Sequence, residues 1–142
     1  MYAWTGTELP LAHVQRLLQK ATQLNPQPGP GGSGMTFSKA TLALFEVDPP
    51  PELQIAVPPP WARCQVVGLW PSSQIVAHRD PPLAAAVVRY HLPLQSDAGC
   101  WVFHGGAWQQ LHVGRLYCMD PAEWHGAVNW GQALRLHLMI DR

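Results

Sequence analysis

From Trp61 onward, short apolar runs alternate with turn-forming residues at the spacing of an all-β sandwich or barrel. This rhythm predicts strands near 62–69, 74–79, 85–94, 99–104, 107–111, 115–119, 124–129 and 132–140. Turns fall at Asp80-Pro81-Pro82, Ser96-Asp97-Ala98-Gly99, Gly105-Gly106 and Asp120-Pro121. The last strand alternates Leu134, Leu136, Leu138 and Ile140 with Arg135, His137 and Met139, giving one leucine face and one mixed face. Helical spacing occurs in one segment, where Leu11, Val14, Leu17, Leu18, Ala21 and Leu24 recur opposite Gln15, Arg16, Gln19 and Lys20. Thr5-Gly6-Thr7-Glu8 has the form of a capping box and Pro10 suits a first turn, which predicts a helix over 5–24. The stretch 25–34, NPQPGPGGSG, is a loop by composition, and 41–47, TLALFEV, reads as a further strand. The prolines of 48–60 belong to edges and turns. The expected architecture is one domain over 1–142: a small, mainly β barrel, with its core over 61–141, braced by an N-terminal helix.

Composition narrows the possible functions. Hydrophobic residues make up 47% of the 142 and charged residues 13%, a balance that supports a packed core and argues against disorder. Nine basic residues match nine acidic ones and no Lys/Arg run occurs, so electrostatic binding of nucleic acid or an anionic membrane is not expected. Cys64, Cys100 and Cys118 are odd in number and far apart, which disfavours a disulfide framework or zinc ribbon and makes a reducing cytoplasm the default. No export signal or membrane-length apolar run is present in the sequence.

Several polar residues interrupt strands that otherwise read as apolar. His78 and Asp80 close the run Gln74-Ile75-Val76-Ala77, and a period of two sends both to one side. Arg89 and His91 share a face of a nearly continuous apolar strand, and His125 follows the Asp120-Pro121 turn. If the leucine face of the last strand packs outward, Arg135 and His137 point into the barrel. A buried guanidinium is costly without a partner. The acids of this half (Asp80, Asp97, Asp120, Glu123 and Asp141) sit mostly in turns, so an anionic ligand is the expected partner, and a carboxylate suits Arg. His78, Asp80 and His125 together supply two imidazole nitrogens and one carboxylate, the donor set that holds Fe(II) on one side and leaves positions open for substrate and oxygen.

The ordered series His78-x-Asp80, RYHLPL at 89–94, Gly99-Cys100, Trp108, GRLYCMD at 114–120, His125, Asn129 and RLHLMID at 135–141 resembles the aspartyl/asparaginyl β-hydroxylase family. Arg135 stands ten positions after His125, which makes the series far more specific than H-x-D alone. The resemblance implies a double-stranded β-helix, the cupin-like barrel, and a dioxygenase that uses Fe(II), 2-oxoglutarate and O2 and releases succinate and CO2. It implies that His78, Asp80 and His125 ligate iron, that Arg135 pairs with the distal carboxylate of 2-oxoglutarate, and that Arg89 and His91 contact its metal-chelating end. Animal members that modify protein domains carry glycine in place of the carboxylate, together with a membrane anchor and helical repeats. The retained Asp80 and the short chain instead point to a free amino acid or a short peptide as substrate, and the carboxylate argues against halogenation.

The same residues admit other readings. A non-catalytic cupin that binds metal or a small carboxylate would use them, and a purely structural barrel would pack them. Arg89 has Asp97 or Glu123 as possible ion-pair partners, and His91 is equally a core histidine. His104, His112 and His137 are not expected to be ligands, and Asp120 reads as turn chemistry. Trp70, Trp101, Trp108, Trp124 and Trp130 belong to the core or rim, with Trp124 packing. Asn129 is either a turn residue or a hydrogen-bonding pocket residue.

Overall fold

The computed structural model describes residues 1–23, 45–46, 49–81 and 88–142. The expected loop at 25–34, the end of the helix at Leu24, and parts of the strands expected at 41–47 and 85–94 lie outside the described residues. Among the described residues, ten strands and two helices follow one another as β1 (Ala3–Glu8), α1 (Leu11–Gln23), β2 (Phe45–Glu46), α2 (Pro51–Gln54), β3 (Arg63–Leu69), β4 (Ser73–His78), β5 (Arg89–Gln95), β6 (Cys100–His104), β7 (Ala107–Gln109), β8 (Arg115–Met119), β9 (His125–Asn129) and β10 (Arg135–Asp141). The paired strands are all antiparallel and form a six-stranded sheet in the order β1-β8-β5-β10-β3-β2 and a four-stranded sheet in the order β4-β9-β6-β7.

Alternation along β10 decides the layering. Leu136, Leu138 and Ile140 join Leu9, Val14, Leu53, Val57, Val66 and Leu92 in a cluster that seats both helices on the outer face of the six-stranded sheet. The second cluster, built from Tyr2, Leu69, Val102, Leu111, Tyr117, Met119 and Ala127, lies between the two sheets. β10 is therefore buried on both faces, and its odd-numbered residues face the space between the sheets. A barrel of this mainly β kind is the double-stranded β-helix. Among the described residues no helix is long and apolar enough to cross a membrane.

The N-terminus differs from expectation. Residues 3–8 pair with β8 and do not cap the helix, which starts at Leu11. Thr5 Oγ1 donates to the Leu116 carbonyl at 3.0 Å and accepts from Thr7 N at 3.2 Å, so its hydroxyl serves the strand. The β1–β8 register shifts between Trp4 and Glu8, where Gly6 has φ 87°, a left-handed conformation that glycine adopts at such a bulge without steric cost. A short helix, α2, also forms within a segment expected to hold edges and turns, with proline at its start, where the missing N–H costs nothing.

Candidate active site

β4 ends at His78 and β9 begins at His125, and the two are Cα partners across the strand pair. Each ring is held by its own chain: His78 Nδ1 lies 2.7 Å from the Val76 carbonyl and His125 Nδ1 lies 2.8 Å from the Glu123 carbonyl. A carbonyl only accepts, so each Nδ1 carries a proton, and in the neutral rings each Nε2 lone pair is left for a ligand. Asp80 lies beyond the end of β4, and its own backbone N donates to the Pro121 carbonyl at 3.0 Å. Its Oδ1 is 3.3 Å from His78 Nε2 and 3.7 Å from His125 Nε2, so a proton or cation shared with the imidazoles is its available partner. One donor atom from each of His78, Asp80 and His125 falls within a group spanning 4.8 Å. Three acceptors facing one point are stable only with a cation or proton between them.

Arg89 fixes the carboxylate. Its Nη1 donates to Asp80 Oδ2 at 2.6 Å, while Nε and Nη2 grip Asp141 at 2.7 and 3.0 Å. Asp141 is the Cα partner of Arg89 on β10 and is almost wholly buried. Arg89 therefore has internal acid partners, Asp80 and Asp141, rather than Asp97, Glu123 or a ligand alone. Engaging Oδ2 leaves Oδ1 as the free oxygen aimed at the two imidazoles. Burial acts to raise the Asp80 pKa, but the contact with His78 and the charge and hydrogen bond of Arg89 outweigh it and hold the carboxyl well below its ordinary range. His78 is shifted upward, chiefly by Asp80, and His125 downward, chiefly by burial.

Arg135 opens the other part of the same cavity, a space of about 140 Å³ lined also by Tyr2, His91 and the three convergent residues. Its side chain is buried, and Nε and Nη1 have no hydrogen-bond partner among the described residues. Burial lowers its pKa. His91 and His137 face each other with their Nδ1 atoms 3.3 Å apart. Burial first, and then the nearby arginines, push both well below the ordinary histidine value, so both rings are neutral. Tyr2 packs edge-on to His91 and to His104, and burial raises its phenol to about 12.

Other sequence candidates have structural duties. His104 Nε2 lies 3.0 Å from the Asp120 carbonyl, and Asp120 Oδ1 accepts from Ala122 N at 2.8 Å in a turn. Asn129 is fully buried and ties together the Leu69 and Ala133 carbonyls, Gly131 N and the Cys100 thiol, which settles it as a structural residue. Trp124 is not packed: it is 47% exposed, with the Arg79 guanidinium 4.9 Å from its ring centroid. Cavity residues missed in the sequence are Tyr2, Arg63 and Gln65. Arg63 and Gln65 had a weak signal, two polar residues at a spacing of two in RCQVV, whereas Tyr2 had none.

Several similar solved structures share this fold at low sequence identity. A Pseudomonas putida prolyl-4-hydroxylase superposes with a TM-score of 0.71 at 13% identity, covering 99% of this chain and 90% of that one. The viral collagen prolyl hydroxylase of Paramecium bursaria Chlorella virus-1, solved as a 2OG complex, gives 0.66 at 10% identity over 94% and 90%. A predicted oxalate decarboxylase from Thermotoga maritima gives 0.59 at 14% identity over 82% and 90%. No curated protein shows a significant sequence match. The family model for aspartyl/asparaginyl beta-hydroxylase matches residues 41–142, a span that includes the convergent His-Asp-His group, the Arg89 strut and the buried Arg135, and the chain belongs to that family.

Proposed function

We propose that the protein is a 2-oxoglutarate- and Fe(II)-dependent dioxygenase that hydroxylates an unactivated carbon of an amino acid, or of an Asp, Asn or Pro residue in a short peptide. One observation carries the reading: a single cavity holds three convergent metal-type donor atoms and a buried guanidinium with unused donors. The first fits a divalent cation and the second fits a carboxylate. His78, Asp80 and His125 would hold the iron. Once bound with 2-oxoglutarate, it would supply the oxygen activation that amino-acid side chains cannot, with succinate and CO2 as co-products.

The protein's own part is positioning and electrostatics. Backbone carbonyls of Val76 and Glu123 fix the two imidazoles in the tautomer that leaves Nε2 free. Arg89, anchored by Asp141, holds Asp80 ionised and turns Oδ1 inward. Arg135 would pair with the distal carboxylate of 2-oxoglutarate. His91, kept neutral, lies along the cavity wall where the chelating end would pass, as does the side of Arg89 that faces the cavity. The hydroxylase family and the 2OG complex of a neighbour of the same fold support this assignment of cosubstrate.

The test is succinate release by purified protein supplied with Fe(II), ascorbate and 2-oxoglutarate, first alone and then with candidate amino acids and peptides. Slow uncoupled turnover that rises with one candidate, and is lost in Asp80→Ala, is the expected result. Metal and 2-oxoglutarate binding without turnover on any candidate would replace this reading with that of a non-catalytic cupin.

A further inference from the structure

The wall of the cavity formed by β3 has no role in the reading above. Arg63, Gln65 and Val67 lie on one face of that strand and all three line the cavity. Gln65 is 4% exposed, and its Nε2 has no hydrogen-bond partner among the described residues. A buried amide donor left unpaired is costly, which makes it a marker of a group that accepts. Arg63, two residues along the same face, has a side chain 38% exposed, so this end of the cavity reaches solvent.

The charge of Arg63 is also only weakly engaged, in a long ion pair. Its nearest carboxylate oxygen, Asp141 Oδ2, is 3.9 Å away, and Arg89 already occupies both oxygens of Asp141 at 2.7 and 3.0 Å. Among the described residues, the cavity wall and its anchor carry three guanidinium groups (Arg63, Arg89 and Arg135) against two carboxylates (Asp80 and Asp141). A divalent metal adds two positive charges and a keto-diacid removes two. That leaves one positive charge among these groups, and Arg63, whose ion pair with Asp141 is the longest of the guanidinium contacts to Asp80 and Asp141, is the one least committed. The register also separates this wall from Arg135. Across β10, Arg63 stands opposite Asp141 and Gln65 opposite Met139, whereas Arg135 stands opposite Leu69. The unused donors therefore lie toward the end where Arg89 holds Asp80.

We propose that Arg63 and Gln65 form the subsite for a carboxylate of the hydroxylated substrate, so that the substrate is a small carboxylic acid held beside the metal-binding residues. This inference rests on the function proposed above. Arg63 pairs with the charge and Gln65 Nε2 donates to an oxygen of the same group. Neither residue takes part in the chemistry; both select and orient.

The experiment uses the full-length chain loaded with Zn(II) and N-oxalylglycine, with binding read by saturation-transfer NMR. The probes are the twenty standard L-amino acids and their fully amidated counterparts. At least one acid binds, and its amide binds about tenfold more weakly or less. Arg63→Gln and Gln65→Met each weaken that acid by about tenfold or more and leave N-oxalylglycine affinity within about twofold. Gln65→Met also keeps or raises the melting temperature, because it removes a buried unpaired amide, so weaker binding cannot be ascribed to unfolding. The inference is overturned if no acid binds, if amides bind equally well, or if both variants bind the acid like the wild type. It is also overturned if the loss falls on N-oxalylglycine, which would put the cosubstrate on β3. Failure of the wild type to bind N-oxalylglycine at all would remove the function reading, and this inference with it.

Discussion

Replacing Arg135 by methionine separates a ligand-binding arginine from a structural one, because the two roles give opposite signs. Arg135 is 3% exposed, and Nε and Nη1 have no partner among the described residues. In the ligand-free protein the guanidinium therefore carries an uncompensated desolvation cost of about 1–3 kcal/mol for its unmade hydrogen bonds. Methionine fills similar space without polar atoms, so Arg135→Met should stabilise the free protein by roughly that amount, a rise of about 4–10 °C in melting temperature for a domain of this size. If Arg135 pairs with 2-oxoglutarate as proposed, the same change removes one partner of a buried ion pair, a loss of about 3–5 kcal/mol, or roughly two to four orders of magnitude in affinity. Thermal melts of the free protein and calorimetric titration of 2-oxoglutarate into the Mn(II)-loaded protein read the two effects. A variant that melts lower than wild type and still binds 2-oxoglutarate normally would refute the reasoning, since Arg135 would then be a structural residue with an undetected partner.

Asp80→Ala should lower Mn(II) affinity at least tenfold by calorimetry and abolish succinate release; it should also lower stability by the lost pairing with Arg89, which keeps its two bonds to Asp141. Asp141→Asn should cost about 3 kcal/mol in chemical denaturation, since it leaves a buried guanidinium short of charge. Gly126→Ala should weaken metal binding without touching a donor atom: a β-carbon there would stand 2.7 Å from the Ile75 carbonyl oxygen and would push β4, with His78, away from β9. Metal affinity should also fall with acid. The pKa of His78 is raised by Asp80, so its proton favours the metal-free fold at low pH and is lost as pH rises through that raised value. Mn(II) affinity should therefore begin to drop above pH ~6.5 on the way down, with about one proton released per metal bound.

The strand rhythm after Trp61 located β3 to β10 to within a few residues, because antiparallel strands with one buried and one mixed face carry their period in the sequence. The N-terminus was misread, because pairing with β8 is a tertiary fact that overrides a local capping pattern. His78 and Asp80 are recognisable as a pair in the sequence, although strand alternation alone does not account for Asp80. β4 ends at His78, and Asp80, beyond the strand, is held by its backbone bond to Pro121. The pairing of Arg89 with Asp141 was invisible because cross-strand register between β5 and β10 cannot be read from one chain's order. Gln65 was hidden by its apolar neighbours, and its unpaired amide is apparent only once burial is known.

Anomalous diffraction from crystals grown with Mn(II) and N-oxalylglycine tests the central claim most directly. The account predicts one strong peak bounded by His78 Nε2, Asp80 Oδ1 and His125 Nε2, with the distal carboxylate of the inhibitor on Arg135. No peak there at full metal loading, or a peak held by other residues, would contradict it.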